Sequence, residues 1–178
     1  MWLSRFLTLD GISYCTHEAT EFAGSQEEFW SNAEKYAQQC DYYGNADSAN
    51  IFVLPSILAE RPMTKVVWVD RPMTEVLHSM KIANMPMCNE AARSLMEQMT
   101  RHYEMFDLVV SFQHLEMEGG SRLIWDLCLP GIPFDSIRWN WFKNQRICYT
   151  AHNPPPVKTY EKFLPWAQSE VDKRLTHL

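Results

Sequence analysis

The chain has 178 residues, 46% apolar and 21% charged, which suits one globular domain and excludes fibrous and disordered classes. Its net charge of −6 excludes the broad basic surface that sequence-independent nucleic-acid binding needs. No apolar run reaches the roughly 20 residues that span a bilayer, and the short, interrupted opening Met1–Leu7 does not read as a signal peptide. The five cysteines (15, 40, 88, 128 and 148) form no C-x-x-C pair, which argues against a zinc knuckle or redox dithiol and for free thiols in a reducing compartment. The expected location is therefore the cytoplasm, or the host cytoplasm for a viral protein.

In chain order, Trp2 to Leu9 reads as a short helix ended by Gly11, followed by a β-rich run over Ile12–Thr16. Ser25 and Glu28 form a capping-box pattern before a helix whose apolar positions Phe29, Ala33, Tyr36 and Ala37 share a face. Tyr42–Ser48 is turn-rich and reads as a loop. A helix limited by Pro55 is expected over Ile51–Ala59. Lys65–Val69 is the clearest strand, continuous and β-branched as in a parallel strand buried on both faces. Asp70-Arg71-Pro72 closes it, and Pro72 suits the first position of the next helix.

Further helices are expected over Asn89–Tyr103, around Ser121–Leu127 and around Phe134–Phe142, with a short strand at Leu108–Val110. Trp125, Trp139, Trp141 and Trp166 read as packing residues. Residues 153–178 read as a stiff Asn-Pro-Pro-Pro connector and an amphipathic helix over Thr159–Leu175. Strands alternating with helices imply βαβ units and a parallel sheet, with ligands at the carboxyl ends of the strands. That rim carries His17, Glu18, Asp70, Arg71 and Ser111.

The most informative segment is Lys65-Val-Val-Trp-Val-Asp-Arg-Pro-Met-Thr-Glu-Val-Leu-His-Ser79. Arg71 sits where the strand turns into a helix, and Ser79 lies about two turns further on. A guanidinium fork and a hydroxyl suit a phosphate, although Arg71 could equally pair with a neighbouring carboxylate. This strand–Arg–Pro–helix–Ser segment resembles the second signature of the P-loop sulfotransferases. So do His17-Glu18, the loop Gly44–Ser48, Val109-Val110-Ser111-Phe112-x-x-Leu115 and Pro133-Phe134-Asp135-x-x-Arg138. The likeness runs in order along nearly the whole chain and leans toward phage and bacterial members.

The resemblance implies a single domain over residues 1–178, a three-layer α/β/α fold with a parallel sheet, of the P-loop NTPase and sulfotransferase-like kind. It implies a transferase that moves a sulfuryl group from 3′-phosphoadenosine 5′-phosphosulfate (PAPS) to a hydroxyl or amine of a small-molecule or glycan acceptor. No metal is implied. Arg71 and Ser79 would hold the 3′-phosphate, with Arg138 approaching the nucleotide phosphate from the far side. His17 would be the base, oriented or replaced by Glu18, and Asp47 and Ser48 would line the acceptor cleft.

One departure stands out. The family's opening strand and Gly-Pro-Arg/Lys-Ser-rich loop, which hold the 5′-phosphosulfate, have no counterpart here, and no Walker-type Gly-x-x-x-x-Gly-Lys-Ser/Thr occurs. The expected fold is therefore incomplete at its N-terminus, through a shortened start, a decayed gene or a partner that fills the gap, the first being favoured, with a gap at the centre of the sheet and little activity. Two alternatives stand beside this reading. A nucleoside or nucleotide kinase would need Mg²⁺ and a Walker lysine; a non-catalytic interaction protein of the same fold would need neither, and a homo-oligomer is compatible with each.

Overall fold

A computed structural model describes residues 2–17, 26–82 and 88–143. Ser25, Glu18, Trp166 and the expected helix over Thr159–Leu175 lie outside the described residues. The described chain is mixed α/β: α1 (Trp2–Phe6), β1 (Ser13–His17), α2 (Gln26–Ala37), β2 (Tyr42–Ala46), α3 (Leu54–Glu60), β3 (Val67–Asp70), α4 (Met73–Ile82), α5 (Cys88–Arg101), β4 (Leu108–Ser111), α6 (Phe112–Leu115), α7 (Glu118–Cys128) and α8 (Ser136–Lys143). No helix among the described residues is long and apolar enough to cross a membrane.

The strands form two parallel pairs, β1–β2 with Ser13 opposite Tyr42 and His17 opposite Ala46, and β3–β4 with Val67 opposite Leu108 and Asp70 opposite Ser111. Among the described residues no ladder joins the pairs. They share instead one apolar cluster. Phe6, Val110, Ile124, Trp125 and Phe142 are its buried centre, and Cys15, Tyr42, Val67, Val69 and Leu108 reach it from the strands. Alternation does the sorting: Val67 and Val69 with Leu108 and Val110 turn one face of β3–β4 to the cluster. Trp68 turns away from it and stacks on Phe106 at 5.6 Å.

Tyr42–Ala46 corrects the loop expected there. Gly44, Asn45 and Asp47 carry turn chemistry, but two tyrosines and the pairing with β1 decide the local state. Gly44 sits beside Cys15, whose sulfur lies 3.7 Å from where a Cβ would stand. The turn begins only at Asp47, which caps a 3₁₀ helix over Ser48–Phe52 by accepting from Ala49 N–H at 2.8 Å. The segment expected as one helix over Ile51–Ala59 is thus split, and Pro55 sits in the first turn of α3, where its missing N–H costs nothing. Phe112–Leu115, just beyond the strand expected at Leu108–Val110, is a helical turn capped by Ser111 Oγ, which accepts from His114 N–H. The helix expected over Trp2–Leu9 ends at Phe6, and Gly11, with φ +69, takes the turn into β1.

Helix α7 packs tightly on α6. A Cβ on Gly120 would stand 2.2 Å from the His114 carbonyl oxygen. Next to it Ser121, wholly buried, donates to the Leu115 carbonyl at 3.0 Å and accepts from the Trp139 indole N–H at 3.1 Å. One hydroxyl therefore fastens α6, α7 and α8. Ser121→Ala leaves the Trp139 indole without its acceptor and is expected to cost about 1–3 kcal/mol in urea unfolding. Gly120→Ala is expected to cost more, because backbone must move; equal midpoints for both variants and the parent would contradict this packing.

Candidate functional site

An open cavity of about 640 Å³ lies beside β1 between α1, α2 and α8. Helix α1 contributes Ser4 and Arg5, the turn after it Thr8, and β1 contributes Tyr14 through His17. Asn32 and Tyr36 come from α2, Tyr43 from β2, and Arg138 and Phe142 from α8. The free edge of β1 is closed by the residues that follow α1. Leu9 N–H donates to the Ser13 carbonyl at 3.0 Å, and the Thr8 hydroxyl accepts from Cys15 N–H at 3.0 Å. A strand edge satisfied in this way can border a cavity without recruiting another strand.

Three tyrosines form one wall. Tyr36 stacks on Tyr14 with centroids 4.8 Å apart, and is near-parallel to Tyr43, at 8° and 6.4 Å. Thr16 Oγ1 lies 3.1 Å from the Tyr43 hydroxyl, the Gly44 carbonyl and Asn45 Oδ1. Burial raises the Tyr43 phenol above its ordinary value, with the Thr16 hydrogen bond acting the other way. The phenol is therefore neutral at physiological pH, a hydrogen-bonding group and not an anion.

The opposite wall rests on Arg138. Its Nε donates to the Phe6 carbonyl at 2.9 Å, and its Nη2 to the carbonyls of Arg5 and Thr8, with the guanidinium 4.9 Å over the Phe142 ring. These carbonyls end α1, where a helix leaves acceptors unpaired and carries partial negative charge. Burial lowers the Arg138 pKa, and Asp135 nearby acts to raise it. Arg138 thus borders the cavity as a clamp on α1.

The residues expected at a site fall in three places. His17 and Arg138 line the cavity. Asp47 and Ser48 follow β2, one and two residues beyond Ala46, the partner of His17 in register; Asp47 is committed to its cap. Arg71 and Ser79 sit apart from the cavity, after β3 and along α4. Arg71 Nε pairs with Glu75 Oε2 at 3.1 Å, and its guanidinium stands 4.7 Å over Phe112. Arg5, Tyr14 and Tyr43 escape the sequence reading, because reading 42–48 as a loop hides the strand that brings the tyrosines together.

Cys15 borders the cavity, and burial, reinforced by Cys128, pushes its thiol up to about 12; burial and Asp107 push Cys128 to about 11. Comparison with protein families, with curated proteins and with solved structures finds no match.

Unfolded thiols titrate near 9, so the folded state binds more protons above that pH. Stability from the two thiols is complete below pH 9 and is lost as pH rises through 11 to 12. Thermal unfolding at pH 8 to 11 should show this decline, and Cys15→Ala with Cys128→Ala should flatten it in part, since Tyr43 declines the same way. An unaltered slope would place the alkaline sensitivity elsewhere.

Proposed function

We propose that the chain is a sulfotransferase-like protein of three-layer α/β/α design, binding a 3′-phosphorylated nucleotide at Arg71 and Ser79 and an acceptor in the cavity beside β1. The observation that carries the reading is the order of the strands. They come as two parallel pairs, consecutive in the chain, that share a core and, among the described residues, no ladder. A parallel sheet with one further strand between the pairs, at the place of the family's opening strand, has this order.

The commitment of Arg71 to Glu75 does not oppose this role. Both side chains are substantially exposed, at 33% and 46%, and such an i,i+4 pair contributes only about 0.3–0.5 kcal/mol. A charge-assisted hydrogen bond to a phosphate is worth about 1.5–3 kcal/mol, enough to draw the guanidinium from the carboxylate. PAPS would supply the sulfuryl group: the acceptor oxygen bonds to sulfur, the bridging S–O bond to the 5′-phosphate breaks, and adenosine 3′,5′-bisphosphate leaves with the electron pair. His17, at the carboxyl end of β1 and on the cavity, would take the acceptor proton. A second reading, a binding module without transfer, draws on Arg138. Its guanidinium is held by backbone carbonyls instead of facing a nucleotide.

Adenosine 3′,5′-bisphosphate should raise the melting temperature of the full chain, and Arg71→Ala should abolish that rise while leaving the ligand-free melt within about 0.5 kcal/mol of the parent. A rise that survives Arg71→Ala, or none in the parent, would overturn the assignment.

A further inference from the structure

The cavity beside β1 carries a charge opposite to that of the protein. The chain has a net charge of −6, yet among the described residues the cavity is bordered by Arg5, His17 and Arg138 and by no carboxylate. Arg138 is spent on carbonyls, so its charge is partly offset where it stands. Arg5 is different. It is exposed on α1, and no carboxylate among the described residues pairs with it. A guanidinium at the border of an open cavity offers an anion a planar fork of donors.

The same cavity is lined by three tyrosines. Tyr14 is 38% exposed and leans on Tyr36, whose ring is nearly parallel to that of Tyr43. Rings held by a sheet and a helix offer apolar surface at little entropic cost, and another ring gains about 0.5–1.5 kcal/mol beyond burial by packing on one of them, offset-stacked or edge to face. A volume near 640 Å³ lies in the range that encloses a ligand of two or three fused rings.

We propose that this cavity binds a planar aromatic compound bearing an anionic substituent, with the ring against Tyr14 and Tyr36 and the anion at Arg5. The cavity's role as acceptor pocket rests on the sulfuryl-transfer reading; its ligand preference does not. Tyrosines alone would accept any ring, and Arg5 alone any anion. Both together select compounds that have each feature, since losing either leaves one wall facing water or an unmatched group.

The test titrates the full chain by calorimetry with 2-naphthoate, with its neutral analogue naphthalene-2-methanol, and with its saturated analogue decahydro-2-naphthoate. The naphthoate is expected to bind at least about tenfold more tightly than the neutral analogue, one charge-assisted bond being worth that factor or more, and about two- to tenfold more tightly than the saturated one, the worth of a ring stack. Arg5→Gln should remove the preference over the neutral analogue, and Tyr36→Leu the preference over the saturated one. Arg5→Gln should keep the parent's melting temperature; Tyr36→Leu, which loses its contacts with Tyr14 and Tyr43, should melt lower and is titrated well below its own transition. Equal affinity for the naphthoate and the neutral analogue, an unchanged isotherm in Arg5→Gln, or no binding at millimolar concentration would overturn the inference. Adenosine 3′,5′-bisphosphate is titrated alongside: a protein that takes the naphthoate but not the nucleotide keeps this inference and loses the sulfuryl-transfer reading.

Discussion

Two parallel strand pairs without a ladder between them must be held together by side chains, and that constraint governs the rest of the structure. A two-stranded sheet is marginal alone in water, so each pair depends on what covers it. Val109, on the outer face of β4, stays 40% exposed; the face turned to the cluster is covered by Phe6. Phe6 is wholly buried, with its ring centroid 5.1 Å from Trp125, 6.2 Å from Phe134 and 6.3 Å from Phe142. Its burial contributes about 1.5–3 kcal/mol, and each aromatic contact about 0.5–1.5 kcal/mol more. A five-residue helix could not persist by propensity alone, so α1 exists because this residue is anchored.

Anchoring α1 from one side settles what its other side can do. Phe6 faces the cluster, the carbonyls at its C-terminal end are taken by Arg138, and Thr8 closes the edge of β1. The positions left are those of Arg5 and its neighbours, which border the cavity. Stability and binding therefore use different faces of one helical turn. The same separation holds at β1, where Cys15 reaches the core and Tyr14 and Thr16 serve the tyrosine wall. A cavity made this way is shaped by the core without being part of it.

Much of the fold was legible in the sequence because the period of burial announced it. Lys65–Val69 read as a strand from its β-branched run, Pro72 marked the entry to α4, and Phe29, Ala33 and Tyr36 marked the face of α2, with Phe29 and Ala33 each 6% exposed. Trp125 and Trp139 read correctly as packing residues, whereas Trp141 is 59% exposed. β2 was illegible because Tyr-Tyr-Gly-Asn-Ala has turn composition, and only the ladder to β1 overrides it. The candidate site suffered from that misreading. His17 could be placed from the end of its strand, but the tyrosine wall joins residues 14, 36 and 43 from three elements, and no local spacing encodes such a meeting.

Three arginines show why residue type alone does not define a site. Arg138 donates to three carbonyls at a helix end while lying over an aromatic ring. Withdrawing it would take a charged donor from each of these carbonyls, and a hydrogen bond to a charged group is worth about 1.5–3 kcal/mol. Arg71 holds one exposed carboxylate, an attachment that any phosphate outbids. Arg5 holds none among the described residues. The order in which these guanidiniums can meet an anion is the reverse of the order in which they stabilise the fold. The sequence resemblance directs attention to Arg71 and Arg138; the energetics of their attachments separate the two and add Arg5, which no motif marks.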